Sequence, residues 1–200
     1  MYQIAHFIIK YFPFLWDIVE FFNEKLFLVR YGRRLKNVHD CLEKNQGEYI
    51  IKEASLEDLS SLVIFFDRQP QSSYEFFQPH GFDEQSLKRL IKRKSYLMYI
   101  VKYGDDIIGY MFLRCFFIGK CYRGKMVDID WRGKGIAVLM GKLATKITTT
   151  LGIRMFGTIS KANTASLLSS KASNDIRIVK ELPDDYLYIE YLPKNNCQWF

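Results

Sequence analysis

Cysteine and histidine are scarce in this 200-residue chain, which has four cysteines (Cys41, Cys115, Cys121 and Cys197) and three histidines. No two cysteines form a Cys-x-x-Cys pair, and the few imidazoles supply no ligand spacing, so a zinc or other metal site is not expected. The cysteines read as small core or surface residues. The start of the chain lacks the basic stretch, apolar run and small-residue cleavage site of an export signal, so the expectation is a cytoplasmic protein with reduced thiols. No stretch reaches the roughly 18 uncharged residues of a membrane span. Internal repeats and low-complexity tracts are missing too, which removes solenoids and disordered linkers.

What is present is a foldable composition: 48% hydrophobic and 16% aromatic residues, enough for one substantial domain with a small appendage. The net charge of +7 favours phosphate-bearing partners. The basic residues are spread over 30–36, 88–94 and 132–146 instead of crowding one recognition element, which argues against nucleic acid.

Two regions differ in pattern. In residues 1–45, Ile4, Phe7, Ile8 and Tyr11 recur at helical spacing, Pro13 interrupts, and Leu15, Ile18, Val19, Phe22, Leu26 and Val29 continue the row. This spacing predicts two amphipathic helices. Lys10, Asp17, Glu20, Glu24 and Lys25 break up the run, and Arg30, Arg33, Arg34 and Lys36 follow it. Such a face suits packing on the main domain, homodimer contact, or peripheral contact with an anionic membrane. Residues 46–200 alternate between strand and helix patterns. Strands are expected at 49–54, 96–102, 107–118, 120–130, 154–159, 176–181 and 187–192, with helices at 55–66, 86–94, 135–151 and 163–172. Gly104-Asp105-Asp106 reads as a hairpin turn and Gly152 as a helix stop. The fold class is α/β, with a mixed sheet flanked by helices.

The passage Asp130–Ala137 carries the most chemistry. Gly133 and Gly135 let the backbone approach a ligand and take unusual dihedrals. The amides that follow open a long helix whose dipole favours negative charge, and Arg132 and Lys134 add positive charge. This pattern reads as a pyrophosphate site, with a tight turn serving only helix entry as the alternative. Neither a Gly-x-Gly-x-x-Gly fingerprint nor a complete P-loop is present.

Arg132-Gly133-Lys134-Gly135-Ile136-Ala137 resembles the Arg/Gln-x-x-Gly-x-Gly/Ala motif of the GNAT acetyltransferase family, with Val127-Asp128-Ile129-Asp130-Trp131 like the strand before it. The element order from Tyr49 to Leu192 is similar to that fold, a mostly antiparallel mixed sheet. The resemblance implies an acetyl-CoA co-substrate, with the pyrophosphate on the amides of Arg132–Ala137. It also implies a pantetheine arm paired with strand backbone at Val127 and Ile129, and Asn163 near that arm. The implied activity is N-acetyl transfer to a small-molecule primary amine.

Acyl transfer needs a base and a proton donor. Asp128, alternating with Asp130 on the strand before the turn, is the candidate base. The segment Asn163–Lys171 resembles the family helix that carries a tyrosine acid, but its tyrosine position is Ser170, a much weaker acid. Ser170 or Ser169 could act through water, Tyr186 or Tyr188 could substitute, or the thiolate could leave without help. His80, in the loop Phe76-Phe77-Gln78-Pro79-His80, could bind the acceptor or relay its proton. An amino sugar of envelope polysaccharide synthesis is the expected acceptor. Two alternatives are a non-catalytic acyl-CoA-binding scaffold, and O-acyl or longer-chain transfer through an apolar slot near Met111, Phe112 and Leu113.

Overall fold

The computed structural model describes residues 13–39, 42 and 48–194. The expected helix over Ile4–Tyr11, and Cys41 and Cys197, lie outside them. Pro13 opens helix α1 (Pro13–His39), where its missing N–H is no loss because the first helical amides lack partners anyway. The helix runs on through the basic cluster to His39.

The face of α1 that packs differs from the expected one. Glu20, Asn23, Phe27, Tyr31 and Val38 are buried, whereas Ile18, Phe22, Leu26 and Val29 are exposed. The cause is polar. Asn23 Nδ2 donates to the Cys115 carbonyl (3.0 Å) and Asn23 Oδ1 accepts from the Phe117 amide (3.1 Å). Arg30 donates to the Phe117 carbonyl, and Arg34 to the Leu151 carbonyl at the end of a later helix. Glu20 pairs with Arg93 at 3.1 Å and with Arg114. These bonds satisfy backbone groups at element ends, and they rotate α1 so that Phe27 and Tyr31, rather than the longer apolar row, enter the core.

Among the described residues, seven strands form one sheet in the order β1-β2-β3-β4-β5-β7-β6. They are β1 (Ile50–Glu53), β2 (Tyr96–Tyr103), β3 (Asp106–Phe116), β4 (Lys120–Val127), β5 (Arg154–Ser160), β6 (Asp175–Leu182) and β7 (Tyr186–Leu192). All pairings are antiparallel except β4 with β5. Gly104, at φ +57°, turns the β2–β3 hairpin, as its sequence indicates. On one face, α2 (Leu59–Asp67) and α3 (Glu84–Ile91) cover a core containing Leu62, Phe66, Leu87, Tyr110 and Phe112. On the other, α1 and α4 (Ile136–Leu151) cover Ile108, Met111, Leu113 and Ile189, and α5 (Thr164–Ser173) packs on α4 and β6. The period-2 alternation of the strands divides the two cores.

Candidate functional site

The parallel pairing of β4 with β5 lasts only three registers: Lys120↔Arg154, Cys121↔Met155 and Tyr122↔Phe156. Both strands continue, to Val127 and Ser160, but they diverge. A cavity of about 670 Å³ occupies the wedge, between Gly124–Val127 of β4, Thr158–Ser160 of β5, the start of α4 and the residues opening α5. Backbone on the inner edge of such a wedge has no ladder partner and is free to bond a ligand.

The mouth lies at the turn into α4. Gly133 (φ +77°) and Gly135 (φ +81°) both adopt the left-handed conformation, which an L side chain occupies only at a cost. The amides of Gly133, Lys134, Gly135, Ile136 and Ala137 donate to no acceptor among the described residues. The helix therefore presents open N–H groups and its positive end to the slot, a ready anion site. Arg132 lines the mouth, its guanidinium held by Ser73 Oγ at 2.7 Å.

Of the residues expected to hold a cofactor, Val127, Arg132, Gly133, Gly135, Ile136, Ala137 and Asn163 line the slot. Asn163 also caps α5, accepting from the Ser166 amide at 3.0 Å. Lys134 turns aside, its ammonium 4.0 Å over the Trp131 ring. Ile129 falls outside the slot because β4 ends at Val127, not at Asp130. Asp128 Oδ1 accepts from the Asp130 amide (3.0 Å), closing a short 3-10 turn over Ile129–Trp131, and Gln69 Oε1 takes the Ile129 amide. Local side-chain bonding of this kind terminates strands.

The expected catalytic residues separate. Asp128 is buried away from the slot, its carboxylate accepting from Arg68 Nε (2.6 Å), Gln69 Nε2 (2.9 Å) and the Asp130 amide. It joins α2 to the mouth, and three hydrogen bonds converge on its carboxylate. Ser170 is fully buried and accepts from Arg123 (3.3 Å), whereas Ser169 lines the slot. His80 borders a second cavity, of about 280 Å³, with Glu20, Arg93 and Tyr96. Its Nδ1 contacts the Gly81 carbonyl and its Nε2 the Tyr110 hydroxyl, each at 2.8 Å. Nδ1 therefore carries a proton, and in the neutral ring Nε2 accepts from the Tyr110 hydroxyl. Desolvation lowers its pKa. Tyr188 pairs with the Tyr122 hydroxyl (3.4 Å), and neither it nor Tyr186 lines the slot. Met111, Phe112 and Leu113 are buried in the two cores and do not widen the slot.

The slot residues beyond those expected from the sequence include Arg123, Lys125 and Tyr191. Arg123 and Lys125 share a β4 face with Cys121 and Val127, which the alternation could have shown. Basic residues on strands ordinarily read as solvent-facing, which hid them. Tyr191 stands over Gly157, where an added Cβ would lie 2.8 Å from its hydroxyl. That hydroxyl has no hydrogen-bond partner among the described residues.

No protein-family model matches the sequence, and no curated protein matches it. Solved structures do match in fold. A spermidine N-acetyltransferase from Vibrio cholerae, in complex with CoA and spermine, is 15% identical and aligns over 74% of this chain and 97% of its own, with a TM-score of 0.60. The PaiA N-acetyltransferase from Thermoplasma acidophilum, in complex with coenzyme A, is 15% identical over 72% of this chain and 98% of its own (TM-score 0.61). The GNAT domain of PAT from S. lividans is 13% identical over 70% and 88% (TM-score 0.59). The expected fold class holds: the chain has the GNAT acetyltransferase fold.

Proposed function

We propose that the protein is an N-acetyltransferase that moves the acetyl group of acetyl-CoA to the primary amine of a small molecule. The supporting observation is the β4–β5 wedge, which ends on five open amides at the start of α4. The pyrophosphate is assigned to Arg132 and the amides of Gly133–Ala137, and the pantetheine arm to the free edge of β4 at Val127, opposite Asn163. No group of three or more His, Cys, Asp or Glu among the described residues could hold a metal, and this chemistry needs none. Spermine in the V. cholerae structure and the paromomycin and acetyl-CoA bound to AAC(6')-Ib support an amine acceptor.

The amine attacks the thioester carbonyl directly. Asp128 and His80 are both engaged and no carboxylate among the described residues lines the slot, so the acceptor is taken to react from its neutral form. Turnover is then expected to rise with pH toward the acceptor's own pKa. A plateau at a lower pKa shared by all acceptors would instead reveal an enzymic base. The Tyr191 hydroxyl is assigned as proton donor to the leaving thiolate.

Among acceptors we propose an amino sugar, nucleotide- or lipid-linked, on the strength of the +7 net charge. The exposed row Ile18, Phe22, Leu26 and Val29 on α1, with exposed Arg33 and Lys36 beyond it, supports a peripheral position at an anionic membrane. No helix among the described residues is long and apolar enough to cross one. Thiol release from acetyl-CoA with a panel of amines tests the acceptor, and turnover of polyamines but not amino sugars would remove it. CoA binding without turnover on any amine would favour the scaffold reading.

A further inference from the structure

Two basic side chains on the slot, Arg123 buried and Lys125 half-buried, have no acidic counterpart among the described residues. Arg123, 7% exposed, lies 3.6 Å over the Tyr191 ring and donates to Asn174 Oδ1 (3.0 Å) and Ser170 Oγ (3.3 Å). These bonds use two of its five N–H donors. Lys125, two residues along β4 and so on the same face, donates to the Ala137 carbonyl (2.8 Å) and Ser169 Oγ (3.1 Å). Both line the slot, and among the described residues no aspartate or glutamate does. Neither forms an ion pair among the described residues. Burial and the Arg123 charge push Lys125 down to about 6. Buried charge without a counter-charge is unfavourable, so the pair is primed to take an anion.

The position of the pair selects the anion. Arg123 is the first β4 residue past the last β4–β5 register, at the closed end of the wedge. It lies about 13 Å along the strand from Val127 at the mouth, at ~3.3 Å per residue. If the mouth holds the phosphates, the part of the same molecule that reaches the closed end is its acyl group. We propose that the slot admits acyl thioesters whose chain ends in a carboxylate, succinyl-CoA being the representative, with that carboxylate seated on Arg123 and Lys125. This rests on the reading of the mouth as a coenzyme A site. In the transfer, the acceptor nitrogen bonds to the thioester carbon, the C–S bond breaks, and the sulfur departs with the electron pair and takes the proton of the Tyr191 hydroxyl, which is restored by the proton the amine nitrogen gives up. The distal carboxylate is unchanged.

The test is calorimetric titration of the full chain at about pH 7.5 with CoA, butyryl-CoA and succinyl-CoA. Butyryl has the same four-carbon length without the carboxylate. Succinyl-CoA is expected to bind about 10- to 100-fold tighter than butyryl-CoA, the range of one charge-assisted bond. Its binding takes up a proton, seen with buffers of different ionisation heat, because neutral Lys125 becomes an ammonium beside the carboxylate. Lys125→Met abolishes both the preference and the proton uptake, and Arg123→Met reduces the preference. Equal affinity for the two acyl-CoAs, or a butyryl preference, overturns the proposal while leaving the coenzyme A site standing. Failure of CoA itself to bind overturns the site. Should Arg123→Met not fold, the wild-type comparison and Lys125→Met decide.

Discussion

Replacing Asp128 by alanine and by asparagine separates a structural carboxylate from a catalytic one. Its side chain is 3% exposed and accepts from Arg68 Nε, Gln69 Nε2 and the Asp130 amide, tying the end of α2 to the turn that enters α4. Bonds to a charged group are worth about 1.5–3 kcal/mol each. Arg68 is 35% exposed, so water recovers part of what Asp128→Ala removes, and we expect a loss of about 3 kcal/mol. For a chain of this size that lowers Tm by about 6–12 °C. Asp128→Asn keeps an acceptor for the Asp130 amide but gives up the charge facing Arg68, and is expected to lose about 2 kcal/mol. Both loosen the mouth, so KM for acetyl-CoA rises while turnover at saturation stays near wild type, the signature of lost uniform binding. Thermal melts, CoA calorimetry and thiol-release kinetics report the three quantities. Asp128→Asn with unchanged Tm and CoA affinity but turnover down about 100-fold would refute this reasoning and return Asp128 to the chemistry.

At Gly133 and Gly135 an added Cβ meets no atom within 4 Å, so alanine there strains only the backbone. Each substitution should cost about 1–2 kcal/mol and weaken CoA binding, and unchanged affinity would show that the turn does not shape the site. Gly157→Ala pushes on the Tyr191 hydroxyl. Like Tyr191→Phe, it should lower turnover, by about 100-fold if Tyr191 is the donor, with acyl-CoA affinity retained in calorimetry. Lys125 sits at about 6, well below its ordinary 10.5, so between those values the unfolded chain binds one proton more than the folded one. Stability contributed at this site is therefore present at high pH and is lost as pH falls toward 6, with a slope of up to ~1.4 kcal/mol per pH unit. Denaturant melts across that window should lose this component in Lys125→Met. Asn23→Ala strips partners from the Phe117 amide and the Cys115 carbonyl, and is expected to cost about 2–3 kcal/mol, read by the same melts.

What could be read in the sequence was local. Gly104 and Gly152, both at positive φ, are short-range signals with one physical outcome, and they located a hairpin and a helix end. The mouth was legible for the same reason: two glycines ahead of an apolar helical row have few other uses. The face of α1 was not legible. Counting apolar residues favours Ile18, Phe22, Leu26 and Val29, but the outcome turned on whether Asn23 and Glu20 would meet the β3–β4 hairpin, 70 or more residues away in sequence. The surroundings of Asp128 were not legible either, since Arg68 and Gln69 reach it from the end of α2.

The interior of the slot depends on a different non-local fact, the register at which β4 and β5 part. Had their pairing continued past Tyr122↔Phe156, the inner edge of β4 from Arg123 onward would be committed to β5 and no wedge would open. The alternation Cys121, Arg123, Lys125, Val127 is plain in the sequence, yet it becomes chemistry only because the strands separate just where the basic residues begin. Gly157, the β5 residue next after Phe156, leaves room for the Tyr191 hydroxyl at that point, and Arg123 stacks on the same ring. Arg123, Gly157 and Tyr191 thus meet at the closed end of the wedge, where any extra group on an acyl chain would have to fit.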